Sequence, residues 1–122
     1  MLRSDPDFGV RLNCASVLGD MRSTEALHSL LRSLQDDPEP QVREVSAIAV
    51  GKIGNRGAIP RLVEALKQDD DADVRERCAE ALGQFDIAEA REALEEALIK
   101  EKDIGVTHYI RRALAKRLKA EE

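Results

Sequence analysis

Apolar residues in the stretch ALHSLLRSL (26–34) fall at spacings of three and four, and the same pattern returns in AIPRLVEAL (58–66) and AREALEEAL (90–98). This spacing predicts amphipathic helices. A second pattern follows each of them. It begins at a valine, as in VREVSAIAVGKI (42–53), and carries small residues at Ser46, Ala47, Ala49 and Gly51 that allow another helix to approach closely. The two patterns alternate with a gap-free period of 32 residues, set by Val10, Val42, Val74 and Val106. Arg11, Arg43 and Arg75 keep this register, as do Cys14, Ser46, Cys78 and Ile110, and Gly19, Gly51 and Gly83. The expected helices are 6–20, 23–35, 39–53, 57–68, 71–85, 88–101 and 103–120, about three and a half helix pairs.

The boundary residues fit those helices. Asp5, Asp37 and Asp69 stand just before the valine helices, with Asp7, Glu39, Asp71 and Asp103 two residues further on. Carboxylates there can cap free N–H groups and meet the positive end of the helix dipole. Pro6 and Pro38 are expected in the first turn, where proline is tolerated, and GNRG (54–57) reads as a turn. One amphipathic pair cannot bury its apolar faces alone, whereas stacked pairs share a continuous core. The fold class expected is all-α, an α solenoid forming a single domain over residues 1–122.

The phrases carried by Asp37, Pro38, Val42, Arg43, Ala47, Ala49, Val50, Gly51, Ile53 and Gly54, and by Asp71, Val74, Arg75, Ala79, Ala81, Leu82 and Gly83, resemble HEAT-like repeats, most closely the short variety of phycobilisome lyases. The resemblance covers almost the whole chain. It implies a right-handed α-α superhelix whose second helices line the concave side. It also implies that the arginine after each valine (Arg11, Arg43, Arg75) ties neighbouring turns together. Such repeats serve mostly as binding scaffolds, so the resemblance implies a protein-interaction role, or alternatively a phycobilin lyase-like or chaperone-like factor for a tetrapyrrole-bearing protein.

The two ends of the array differ. In the last copy Arg91 stands where earlier copies have Leu27 and Ile59, and Glu95 where they have Leu31 and Val63. Arg111 replaces Ala15, Ala47 and Ala79, and Arg117 replaces Met21, Ile53 and Phe85. Charges at packing positions are expected of a terminal repeat with a solvated outer side. The first copy shows no such change: Val10, Cys14, Val17, Leu18 and Met21 stay apolar, with Leu2, Phe8 and Leu12 nearby. That end is expected to be covered by a partner or a second copy of the chain, or else to continue into a longer array.

Composition narrows the function. The 122 residues are 43% hydrophobic but only 2% aromatic, and 35% are charged with a net charge of −5. An acidic balance argues against a nucleic-acid partner. No stretch approaches a membrane span, and the opening MLRSDPDF lacks the apolar segment of an export signal. Two cysteines then read as free thiols in the cytoplasm.

Catalytic chemistry is sparse. His28 aligns with Pro60 and Glu92, a polar position, and no nucleophile, histidine and acid stand in a recognisable order. Deoxyhypusine hydroxylase, an enzyme of HEAT-like repeats, holds two irons with adjacent His-Glu pairs; the matching positions here are Arg43-Glu44, Glu76-Arg77 and His108-Tyr109. The run QDDDAD (68–73) lacks the glycine and the distant glutamate of a calcium loop. The expectation is a chain that is not an enzyme and carries no metal or cofactor. The basic stretch HYIRRALAKRLKAEE reads as a capping helix whose cations meet the negative helix end.

The candidate partner surface comes from the repeat alignment. Positions three and six after the reference valine lie off the apolar stripe. They hold Asn13 and Ser16, Val45 and Ile48, Arg77 and Glu80, and Tyr109 and Arg112. Only the second copy is apolar at both, so Val45 and Ile48 are expected to form one exposed spot, rimmed by Arg77 and Glu80, with Tyr109 as an aromatic anchor.

Overall fold

A computed structural model describes residues 7–121, with side chains described through residue 116. Leu2, Asp5, Pro6 and Arg117 therefore lie outside what is described. The elements are α1 (Phe8–Met21), α2 (Thr24–Asp36), α3 (Pro40–Ile53), a 3-10 turn (Arg56–Ala58), α4 (Ile59–Gln68), α5 (Ala72–Leu82), α6 (Ala88–Lys100) and α7 (Ile104–Glu121). Among the described residues there is no strand. The seven expected helices are all present, each within a few residues of its expected bounds.

The helix ends explain themselves chemically. Asp7 caps α1, its carboxylate accepting from the Gly9 and Val10 N–H groups at 2.8 and 3.3 Å. Asp71 caps α5 in the same way, accepting from Asp73 and Val74, and Asp103 accepts from the Val106 N–H at 3.0 Å. Ser23 caps α2 through its hydroxyl oxygen, which accepts from the Ala26 N–H. Helix α3 departs from the expectation: the cap is Glu39 without a side-chain bond, and Pro40 rather than Pro38 occupies the first turn. The α3 helix ends on Gly54 at φ 71°, the left-handed conformation that favours glycine. The aligned position after α1 is Arg22, which adopts the same conformation at φ 55° without glycine's freedom.

Two layers result. The second helices α1, α3, α5 and α7 pack side by side, the first helices α2, α4 and α6 form the other layer, and each helix pair closes across the layers. The layer of second helices is held very close by glycine. A Cβ built on Gly19 would lie 2.8 Å from the Ala49 Cβ, one on Gly51 2.8 Å from the Ala81 Cβ, and one on Gly83 2.7 Å from the Ala113 Cβ. Each repeat thus sets a bare helix surface against an alanine 30 residues later.

The core runs continuously along the stack. Leu30, Leu62 and Leu94 from the first helices are fully buried, as are Val42, Val74 and Val106 from the second. Burying each such side chain stabilises the fold by roughly 1.5–3 kcal/mol. A buried polar pair interrupts the hydrocarbon in the second repeat, where the Ser46 hydroxyl donates to the Ser33 hydroxyl at 3.0 Å. Both cysteines are free; Cys78 is buried and Cys14 half-buried.

The repeat arginines form a ladder between turns. Arg11 donates from Nε to Asp37 at 2.9 Å, Arg43 to Asp69 at 2.9 Å and Arg75 to Glu101 at 3.0 Å, each 26 residues ahead. Arg43 and Arg75 also donate from Nη1 to the backbone carbonyls of Asp37 and Asp69, both at 2.8 Å. The same acids turn back on the next helix: Asp37 accepts from the Glu39 N–H, Asp69 from the Asp71 N–H and Glu101 from the Asp103 N–H. Asp37 and Asp69, expected as helix caps, are therefore chiefly the acceptors of the preceding repeat's arginine.

The ends agree with the asymmetry in the sequence. Glu95 and Arg111 are exposed and Arg91 is half-buried, while Leu27, Ile59, Ala15, Ala47 and Ala79 are buried. At α1, Val10, Val17 and Met21 are 42%, 58% and 60% exposed. Leu18 is buried, and Cys14 and Leu12 are half-buried, so the apolar opening is narrower than the alignment implied.

Candidate functional site

The second helices present one common open face. Positions three, six and ten after each reference valine share one side of a helix, and the layer repeats that side across the molecule. At position six, Ser16, Ile48, Glu80 and Arg112 are all exposed. At position three, Asn13 is exposed while Val45, Arg77 and Tyr109 are half-buried. Position ten adds Asp20, Lys52, Gln84 and Lys116, all exposed. Lys52 donates to Asp20 at 2.6 Å across the α1–α3 boundary, which shows that equal positions on adjacent helices are neighbours. The hydrogen bond from Lys52, and then its charge, hold the Asp20 carboxyl below the usual carboxylate range.

This arrangement changes the expected apolar spot. Val45 packs against the core from a half-buried position. Ile48 alone stands out, at 43% exposure. The two were expected to form one exposed spot. The close approach of α3 and its neighbours draws position three inward and leaves position six at the crest.

Arg77 is the hub of the polar part. Its guanidinium lies 4.6 Å from the centre of the Tyr109 ring, a favourable cation–π distance. It donates to Glu80 and Glu76, both at 3.3 Å, and sits 3.7 Å from Glu44. Burial works against the Arg77 charge, but Tyr109 and Glu80 outweigh it and raise its pKa. Glu44 is pushed above the usual carboxylate range by burial first and by the nearby Asp73 second, with Arg77 opposing. Tyr109, expected as an aromatic anchor, has one ring face occupied by Arg77 and stands perpendicular to the His108 ring, with ring centres 5.6 Å apart.

Beside this hub a groove of about 400 Å³ runs between α5 and α7, lined by Glu80, Gly83, Gln84, Tyr109, Arg112, Ala113 and Lys116. Its floor is backbone and small side chains because Ala113 closes on Gly83. Sequence reasoning included Glu80, Tyr109 and Arg112 but missed Gln84 and Lys116. They lie one further helical turn along, and extending the alignment from position six to position ten would have found them.

Arg11, Arg43 and Arg75 are spent on the ladder and do not reach this face. Among the described residues no group of three or more histidine, cysteine, aspartate or glutamate side chains could hold a metal ion, and no helix is long and apolar enough to cross a membrane. Burial pushes the Cys78 thiol pKa well up, with Asp69 adding to it, which suits a packing residue rather than a nucleophile.

A comparison with curated proteins gives no match. The family model for HEAT repeats matches residues 1–50 and 33–115. With almost the whole chain covered, this protein belongs to the HEAT-repeat family, a helical repeat scaffold.

Proposed function

We propose that this HEAT-repeat chain is a non-enzymatic protein-interaction scaffold, binding a protein partner on the face formed by its second helices, which corresponds to the concave side of such arrays. The observation that carries the reading is the exposed row of unlike side chains at position six. Ser16, Ile48, Glu80 and Arg112 are all exposed on a layer whose helices are locked together by the glycine–alanine contacts. A rigid backbone with a variable exposed row supplies shape from the fold and specificity from a few side chains.

Photo-crosslinking tests the assignment of the face. A photoreactive amino acid is placed at Ile48 or Arg112 on the second helices, and at Arg61 or Glu92 on the first helices, and each variant is exposed to native lysate. Discrete adducts from Ile48 and Arg112 alone are expected. Adducts arising mainly from Arg61 and Glu92 would move the partner surface to the other layer and overturn the reading.

A further inference from the structure

The described cations of the second helices, the exposed Arg111 aside, divide by partner. Arg11 pairs with Asp37, Arg43 with Asp69, Lys52 with Asp20, and Arg75 with Glu101. Arg77 is held by Glu76 and Glu80. In α7, Arg112 and Lys116 make no hydrogen bond or ion pair with any described residue. They stand at positions six and ten, one helical turn apart on the same side of α7. Both line the groove against α5. In a chain of net charge −5, where the other described cations of this face, Lys52 and Arg77, are paired with acids, two adjacent unpaired cations at a groove are a distinct electrostatic feature.

The apolar feature of the same face lies on the same row. Ile48 is at position six of α3, Glu80 at position six of α5 and Arg112 at position six of α7. Neighbouring helices pack roughly 8–10 Å apart, so Ile48 and Arg112 are separated by two such spacings. An extended chain advancing roughly 3.3 Å per residue covers that distance in about five or six residues.

We infer that the second-helix face takes an extended acidic peptide segment of a protein partner, with its carboxylates against Arg112 and Lys116 and one apolar side chain, about five or six residues away, seated on Ile48. This deepens the proposed function and rests on the reading of this face as the partner surface. Between the two anchors the segment crosses Glu80, which shares Arg77 with Glu76 and so calls for a neutral residue opposite it, and Gln84, which offers a neutral amide to the peptide backbone. The surrounding acids favour a short acidic segment over a polyphosphate. Glu44, Asp73 and Glu76 lie on the edge of the same layer toward the helix N-termini, and a long run of phosphates would meet them. Two local cations suffice for a pair of carboxylates, and such charge pairs fix register and partner choice.

A displayed library of random twelve-residue peptides, panned on the full chain, tests this directly. The peptides recovered are then measured against Arg112→Glu/Lys116→Glu and against Ile48→Lys, with circular dichroism confirming unchanged helicity, and against a twenty-nucleotide single-stranded DNA as competitor. The expected result is enrichment of Asp or Glu about five or six positions from an apolar residue. Binding should fall by about tenfold or more in the charge-reversed variant and weaken with salt. Peptides that depend on Ile48 but not on Arg112 and Lys116 would overturn the acidic partner while leaving the partner face intact. Peptides sensitive to neither variant would overturn both. DNA binding that requires Arg112 and Lys116, with no acidic peptides recovered, would assign the cations to phosphate recognition and overturn the inference.

Discussion

Arg43 grips Asp69 with two parallel bonds, Nε to Oδ2 at 2.9 Å and Nη2 to Oδ1 at 3.2 Å, and so joins the start of one second helix to the loop before the next. Both side chains are nearly enclosed, at 12% and 8% exposure. Such a pair is worth little as an isolated charge contact but is costly to break from one side, because the remaining charge is left in a poorly solvated place. Burial acts against the Arg43 charge, and the hydrogen bond and charge of Asp69 more than offset it, raising the arginine's pKa.

Arg43→Ala is expected to destabilise the fold by about 2–3 kcal/mol, since it leaves Asp69 nearly buried without its guanidinium. Arg43→Lys should recover only part of this, because an ammonium cannot reproduce the paired geometry. Urea unfolding of the two variants measures both. A change in midpoint no larger than that of an exposed substitution would show that the ladder does not hold the repeats together.

Gly51→Ala should also destabilise, by about 1–2 kcal/mol from overpacking, although alanine is the better helix former by about 1 kcal/mol. The new methyl would meet both the Cβ and the Cα of Ala81, at 2.8 and 3.0 Å, and neither can rotate away. The exchange Gly51→Ala with Ala81→Gly should recover part of the loss. Thermal melts of the single and double variants decide the matter, and a stabilised single variant would show that the helix spacing relaxes freely.

Ile48→Lys and Val45→Lys should separate. The first replaces an exposed side chain and should leave stability within about 0.5 kcal/mol. The second places an ammonium where Val45 packs against the core and should lower the melting temperature clearly. Equal effects in a melting experiment would contradict the inward tilt of position three.

The two thiols should react differently. Cys78 is buried and its thiolate is disfavoured by burial, whereas Cys14 is half-buried. Iodoacetamide at neutral pH is expected to modify Cys14 in the native protein and both residues in urea, as read by intact mass. Rapid native labelling of Cys78 would mean that the third repeat opens readily.

The exposed apolar side chains of α1 predict self-association through that helix. Val17 occupies the position filled elsewhere by Ala49, Ala81 and Ala113, each buried at 3%, 2% and 6%, yet it is 58% exposed. Sedimentation at rising concentration should show association that Val17→Glu suppresses. A concentration-independent mass for the parent chain would count against it.

The sequence alone determined the helices, their pairing and the core, because all three follow from local periodicity. A period of three and four along Leu27, Leu30, Leu31 and Leu34 selects the buried stripe of a helix whatever lies beyond it, and the repeat of 32 residues requires neighbouring copies to pack alike. The role of Arg11, Arg43 and Arg75 followed from the family resemblance. Their acceptors emerged only in three dimensions, since Asp37 and Asp69 read as helix caps until the loops were placed, and Glu101 carried no signal of its own. The same holds for the face. The alignment treated Val45 and Ile48 alike, because both lie off the apolar stripe of their own helix. The glycine contacts that bring α1, α3 and α5 close together then tipped one inward and left the other exposed. Tyr109 was legible as an aromatic residue on the right row, but whether its ring was free depended on Arg77 from the adjacent helix. Spacing within a helix is written in the order of residues. Contact between helices depends on their separation and on which side chains share the gap, and only the packed structure decides those.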